Sequence, residues 1–290
     1  METDRSSFCG CKGIRTCIKC EKEYSILKPE FDFSQYEASY VYCCFCNKAW
    51  EGSDDAEHEK HPNHSGKSIE FPGVFIQLDF ISQKECDELM NDLDLLPWDT
   101  SQSGRRKQNF GPKCNFKKRK LRAGNFSGFP AATRFIQDRF SKVDLLENFQ
   151  TIEQCSLEYD SARGSSIDAH IDDCWIWGER IVTVNLIGDS VLSMVPYRGT
   201  NTKYNLIDAP HPFNEVPLLD PPNIVVRIPM PSRSLLVLYG EARYWWLHLI
   251  PRHDISGRRV CLAYREFTEP YLEGGKFEGE GDSIRERIKF

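Results

Sequence analysis

Between residues 151 and 267 the chain is a succession of short apolar runs, each closed by glycine, proline or a polar turn, and no other feature restricts the fold as much. Residues 151–159, 181–187, 191–197, 223–229, 234–239, 244–249 and 258–267 read as strands, rich in β-branched and aromatic residues. So many short strands bury their apolar faces only by packing sheet on sheet, as a sandwich or jelly roll. Helices precede them. Ser82-Gln-Lys-Glu85 is a capping box, and Cys86, Leu89, Met90, Leu93 and Leu96 share one face of the helix it opens. A second helix is expected over residues 131–148, burying Phe135, Ile136 and Phe140. The fold class is therefore mainly β with supporting helices.

Within the strand region stands His170-Ile-Asp172, just after a turn at Gly164. On a strand, side chains two apart point to one face, so this pair is placed to hold a single metal ion. His248 follows the buried-type strand Ser234–Tyr239 and its closing Gly240, and would complete a set of two imidazoles and one carboxylate. That donor set, on one face of an octahedron, is the arrangement of non-haem Fe(II) oxygenases. His253 competes for the third place, but Pro251, Asp254 and Gly257 mark its surroundings as a solvent-facing turn. Further on, Arg259 and Arg265 are an even number of residues apart and share one face of their strand. An inward guanidinium needs an anion, and its planar fork matches a carboxylate. A dicarboxylate co-substrate would satisfy that need.

Taken together, Tyr159–Asp172, Ser234–Ile250 and Arg259–Arg265 resemble the AlkB family of Fe(II)- and 2-oxoglutarate-dependent dioxygenases, over most of residues 70–268. The block Cys9-Gly-Cys-Lys-Gly-Ile-Arg-Thr-Cys17 is similar to the fourth animal branch of that family. The resemblance implies a double-stranded β-helix (jelly-roll) core, with iron on His170, Asp172 and His248. It implies 2-oxoglutarate on Arg259 and Arg265, assisted by the hydroxyl of Tyr159. One segment departs from the family pattern: Tyr-x-Pro-Gly is expanded here, with Asp-Ser-Ala-Arg separating Tyr159 from Gly164.

The first 66 residues differ in composition and hold seven of the twelve cysteines. Cys17-Ile-Lys-Cys20 and Cys43-Cys-Phe-Cys46, twenty-two residues apart, are spaced to close a tetrahedral zinc site in a segment too small for its own core. Cys9 and Cys11 are alternates that would replace one knuckle or join a second site. His58, His61 and His64 are read as an exposed linker because of Pro62 and the surrounding charges. The expected division is a Cys-rich zinc module over 1–66, a dioxygenase domain over 67–270 and a flexible, Gly- and charge-rich tail over 271–290.

No apolar run reaches the ~20 residues of a membrane span, and the N-terminus lacks the apolar stretch of a secretory signal. Cytoplasm and nucleus are the expected locations, where so many cysteines serve as metal ligands or buried thiols and not as disulfides. A net charge of −6 argues against a surface wholly devoted to nucleic acid. Locally, however, residues 104–122 carry nine Lys/Arg and no acid, interleaved with Phe110 and Phe116. Such a run would neutralise phosphates and stack on bases, or serve as an import signal or a solvated loop. The resemblance puts it in the lid over the active site. The polar, proline-rich insertion 197–222 is a second place for substrate choice.

By this resemblance the reaction is oxidative N-demethylation, releasing formaldehyde and succinate. Monomethyl-lysine in a protein such as actin is the preferred substrate, and N6-methyladenine in DNA, contacted through residues 105–122, is the alternative. Two rivals remain: a non-catalytic interaction module, which gives the metal ligands and arginines no reason to occur together, and a zinc hydrolase, which leaves the arginines without a role.

Overall fold

The computed structural model describes Arg5 and residues 8–27, 30–215 and 221–290. In chain order, helix α1 (Ile18–Tyr24) is followed by strands β1 (Ala38–Cys43), β2 (Lys48–Glu51), β3 (Ser68–Glu70) and β4 (Val74–Gln77). Helix α2 (Gln83–Asp94) leads to β5 (Asp99–Thr100), β6 (Arg106–Phe110), β7 (Lys113–Asn115) and β8 (Lys120–Arg122). Helix α3 (Arg134–Phe140) precedes β9 (Glu153–Asp160), β10 (Ile167–His170), β11 (Trp177–Ile187), β12 (Ser190–Pro196), β13 (Ile224–Met230) and β14 (Ser234–Leu238). Last come α4 (Gly240–Tyr244), β15 (Trp246–Ile250), β16 (Arg258–Phe267) and α5 (Glu278–Arg285).

Fourteen of these strands form two seven-stranded sheets, β10-β15-β12-β13-β1-β2-β3 and β4-β14-β11-β16-β9-β6-β5, the jelly-roll architecture expected, and β7 pairs with β8 alone. Alternation along β16 shows how the layers are made. Val260, Leu262 and Tyr264 point outward and pack with Leu89, Leu93, Ile136 and Phe140 of α2 and α3. The intervening Cys261 turns inward to the core shared by both sheets, with Tyr159, Trp177, Met194 and Ile228. Arg259 and Arg265 have the parity of Cys261, and both are carried into that interior.

Helix α2 starts as its capping box requires, with the Ser82 hydroxyl accepting the Glu85 backbone N–H. The expected helix over 131–148 is shorter: turns of 3-10 helix at 131–133 and 144–146 flank α3, and β-branched Val143 is extended between them. The strand expected to begin at 244 begins at 246, because residues 240–244 coil into α4.

The boundary expected at residue 66 is not a break in the fold. β1 pairs in parallel with β13, so β1, β2 and β3 extend the sheet that carries the metal-ligand candidates. Arg227 of β13 ties the loop after β2 to the core by ion pairs to Asp55 (2.8 Å) and Asp254 (2.9 Å). Nor is the tail loose. Ile284 of α5 is fully buried, and the Phe290 ring lies 5.6 Å from Phe129. Its apolar positions recur at helical spacing, a signal masked by the glycine and charge around them. Among the described residues no helix is long and apolar enough to cross a membrane.

Candidate active site

Strands β10 and β15 are antiparallel neighbours, and their register sets His170 directly opposite His248. The two imidazole centroids are 4.2 Å apart. Asp172 lies two residues beyond the end of β10, in irregular chain, so strand alternation alone does not aim it. Its position is held by arginines: Arg265 Nε donates to Asp172 Oδ1 at 2.7 Å, and Arg243 Nη1 donates to the Asp172 carbonyl at 2.8 Å. The remaining oxygen, Oδ2, is 3.7 Å from His248 Nε2 and has no hydrogen-bond partner among the described residues. One donor atom from each of His170, Asp172 and His248 lies within 4.8 Å of the others. His253 lies apart, with its ring against Phe33.

The protonation states suit a cation. Burial lowers the pKa of both imidazoles, that of His248 strongly, so they stay neutral with a lone pair to give. His170 Nδ1 donates to the Asp168 carbonyl at 2.8 Å, leaving Nε2 as the ligand atom. Burial alone would raise the Asp172 pKa, but the Arg265 guanidinium beside it holds it well below the usual carboxylate range. Two neutral imidazoles, an ionised carboxylate and an unsatisfied carboxylate oxygen fit a divalent metal.

The two arginines of β16 are not equivalent. Arg265 commits Nε to Asp172 and Nη1 to Glu153, the latter at 2.6 Å. Arg259 is 2 % exposed, and its Nε and Nη1 find no acceptor among the described residues. Its guanidinium sits 4.9 Å from the centroid of the buried Tyr159 ring. A buried, charged fork with two unused donors is costly unless a ligand supplies the acceptor. The residues present therefore fit a carboxylate-bearing co-substrate at Arg259. Arg265 chiefly orients the metal-ligand candidate Asp172.

Three contributors escaped the sequence reading. Arg243 is wholly buried and donates to the carbonyls of Asp172, Trp177 and Gly178, fixing the turn after β10. Glu153 is the counter-ion of Arg265. Arg105 also approaches Tyr159, 5.8 Å from its ring centroid. Only the odd presence of Arg243 among aromatics, in Arg-Tyr-Trp-Trp, hinted at a buried cation.

The basic run 104–122 is a structured element and not an open loop. Arg106 is paired with buried Glu158, and the β7–β8 hairpin projects its lysines outward, with Phe116 half exposed beside Trp175. Arg119 pairs with Asp208 of the insertion at 2.7 Å, and Asn205 of the same insertion donates to Asp173 at 2.7 Å. Hairpin and insertion thus meet beside the Asp172 turn. Residues 216–220 of the insertion lie outside the described residues.

The expected zinc site joining Cys17 and Cys20 to Cys43 and Cys46 does not form; the alternate reading, in which Cys9 and Cys11 replace one knuckle, is the one that the structure brings together. Cys17 and Cys20 converge with Cys9 and Cys11, while Cys43 and Cys46 converge with His61 and His64. The chain comes close at both places through local loops, which spacing between distant knuckles does not reveal. None of the twelve cysteines forms a disulfide.

A jelly roll whose interior presents two histidines, a carboxylate and an inward arginine defines the class of Fe(II)- and 2-oxoglutarate-dependent dioxygenases. No family model matches the chain. It is 39% identical to the mouse protein named alpha-ketoglutarate-dependent dioxygenase alkB homolog 4, over 95% of this chain and 92% of that one. Against the human protein of the same name the identity is also 39%, over 95% and 91%. A Caenorhabditis elegans protein named DNA N6-methyl adenine demethylase is 32% identical over 92% of this chain and 89% of its own. A solved 2OG-Fe(II) oxygenase-family oxidoreductase from Burkholderia pseudomallei aligns at TM-score 0.40 and 12% identity, over 67% of this chain and 83% of its own. The chain belongs to the AlkB family of Fe(II)/2-oxoglutarate-dependent dioxygenases.

Proposed function

We propose that this dioxygenase removes N-methyl groups oxidatively, with monomethyl-lysine of a protein, such as actin, as its substrate. The observation that carries the reading is the meeting of three metal-ligand candidates with the unsatisfied Arg259 fork in one interior. His170 Nε2, Asp172 Oδ2 and a nitrogen of His248 would hold Fe(II), and Arg259 would take a carboxylate of 2-oxoglutarate. When bound, iron, 2-oxoglutarate and dioxygen supply the oxidation of the methyl carbon, which leaves as formaldehyde beside succinate and carbon dioxide. The protein's own residues do the positioning. Arg265 and Arg243 hold Asp172, the Asp168 carbonyl sets the His170 tautomer, and the core around Trp177 and Tyr159 keeps water out.

The net negative charge of the chain disfavours a polyanion as general partner and supports a cationic methyl-ammonium substrate. N6-methyladenine in DNA is the second reading. It is favoured by the outward lysines and half-exposed Phe116 of the β7–β8 hairpin, and by the name of the Caenorhabditis elegans relative. Formaldehyde release from methyl-lysine peptides and from N6-methyladenine oligonucleotides, measured side by side, tests the choice. Release from the peptide alone upholds the first reading; release from the oligonucleotide alone replaces it with the second.

Cytoplasm and nucleus are the proposed locations, where the free thiols of this chain persist. Cys9, Cys11, Cys17 and Cys20 are proposed as a structural zinc site. Their loops dock on the catalytic sheets through the Arg15–Asp168 (3.4 Å) and Arg252–Glu21 (2.9 Å) pairs. A Cβ on Gly164, whose φ is +62°, would stand 2.6 Å from the Ile18 side chain of α1, so this turn favours glycine beneath the module.

A further inference from the structure

We propose that Cys43, Cys46, His61 and His64 form a second, separate zinc site, of two thiolates and two imidazoles, which clamps the appended strands β1 and β2 onto the catalytic sheet. The donor atoms of all four lie within 4.8 Å of one another. A tetrahedron built on Zn–S of ~2.3 Å and Zn–N of ~2.0 Å has edges of roughly 3.3–3.8 Å, so small side-chain shifts close it. One edge is already close to its length: Cys46 Sγ and His64 Nε2 are 3.8 Å apart.

The surroundings are those of a metal centre. His64, whose side chain is 2 % exposed, is bonded at Nδ1 to Glu57 Oε1 at 2.9 Å, and this leaves Nε2 as the donor to a cation. Glu57 is itself buried and held by Lys60 at 2.7 Å. The Trp50 indole N–H points at Cys46 Sγ from 3.4 Å, and the Trp50 ring stacks on His64 at 4.5 Å. The Asn47 N–H donates to the Cys43 carbonyl at 2.9 Å and Asn47 takes a left-handed φ of 57°, which closes the Cys43–Cys46 turn. That is how a Cys-x-x-Cys turn folds around a metal. The ordered Cys46–His64–Glu57 line also resembles a thiol nucleophile with its base. Cys43 and His61, converging on the same point, are superfluous to a nucleophile and necessary to a tetrahedral ion.

Its position assigns the role. The ligands sit on the β1–β2 turn and on the loop beyond β2, and β1 pairs with β13 of the sheet that holds His170 and His248. Four protein ligands close the coordination sphere, so the site is structural and leaves no place for substrate.

The test is zinc content and zinc K-edge absorption fine structure of the full chain, purified with its iron site filled by Fe(II). With both clusters occupied, two zinc ions share six cysteine sulfurs and two histidine nitrogens, a mean shell of three sulfurs and one nitrogen per ion. One zinc per chain with two sulfurs and two nitrogens upholds this site and removes the four-cysteine one. One zinc with an all-sulfur shell, or no zinc, overturns the proposal. His64→Asn is expected to remove one zinc per chain and the nitrogen from any zinc shell that remains; an unchanged content contradicts the assignment. The wild-type spectrum decides the matter even where that variant fails to fold. A chelator is expected to speed alkylation of Cys46 at least tenfold, whereas a nucleophilic Cys46 would react at the same rate with and without it.

Discussion

At the scale of single residues the site rests on how buried charge is satisfied. Arg259 has two unused donors in a dry interior, and Arg265 has its Nε and Nη1 committed to Asp172 and Glu153. The two arginines should therefore fail differently. Arg259→Met is expected to raise the KM for 2-oxoglutarate about 100-fold, the ~3 kcal/mol of a truncated buried charge pair, with iron affinity unchanged. Arg265→Met is expected to weaken Fe(II) binding, because Asp172 loses the cation that keeps it ionised and aimed. Metal titration and 2-oxoglutarate saturation curves separate the two; equal losses in both variants would contradict the division of labour. The metal-ligand candidates and these arginines were legible because few other roles explain such residue types in buried strands. Arg243 and Glu153 were not, since their partners are backbone carbonyls and a neighbouring strand that only the folded chain brings near.

At the scale of elements, periodicity is readable where burial is regular. β11, β13, β14 and β16 alternate or run apolar, and they stood out; β6 and β10 are charged or half-exposed and did not. Helix α2 announced itself through its capping box, and that box carries a pH dependence. Hydrogen bonds from Arg139 and Ser82 lower the Glu85 pKa to about 2. A depressed carboxylate pKa stabilises the fold above the unfolded value of ~4.3, and the contribution fades as pH falls toward 2. Glu85 is one-third exposed, so solvent screens the pair. Glu85→Gln is expected to cost about 1 kcal/mol near neutral pH, with the difference from wild type shrinking between pH 4.5 and pH 2. Denaturant midpoints across that range measure it, and a difference that grew on acidification would contradict this cause.

At the scale of the whole molecule, the Cys-rich N-terminus and the catalytic sheets form one structure. Composition separates residues 1–66 from the rest, but composition does not record that β1 finds its partner in β13, nearly two hundred residues away. Deleting residues 1–66 would lay bare the β13 edge, with Val225 and Val226 beneath it. Exposed apolar edges pair with other chains. The shortened protein is expected to aggregate, as read by light scattering after purification; a monodisperse, active fragment would contradict the single-unit view. The same argument applies to the tail. Removing residues 278–290 strips Ile284 and Phe290 from the core and is expected to lower the thermal midpoint by several degrees, on the order of 2–4 °C per kcal/mol lost.

In the proposed site His170, Asp172 and His248 hold one iron beside a co-substrate anchored on Arg259. Its most direct measurement is succinate formed from 2-oxoglutarate by purified, Fe(II)-loaded protein in air, wild type beside His248→Ala. The expected result is iron-dependent succinate from the wild type and none above background from the folded variant. Equal succinate from both proteins, or none from well-folded, iron-loaded wild type, would contradict the account.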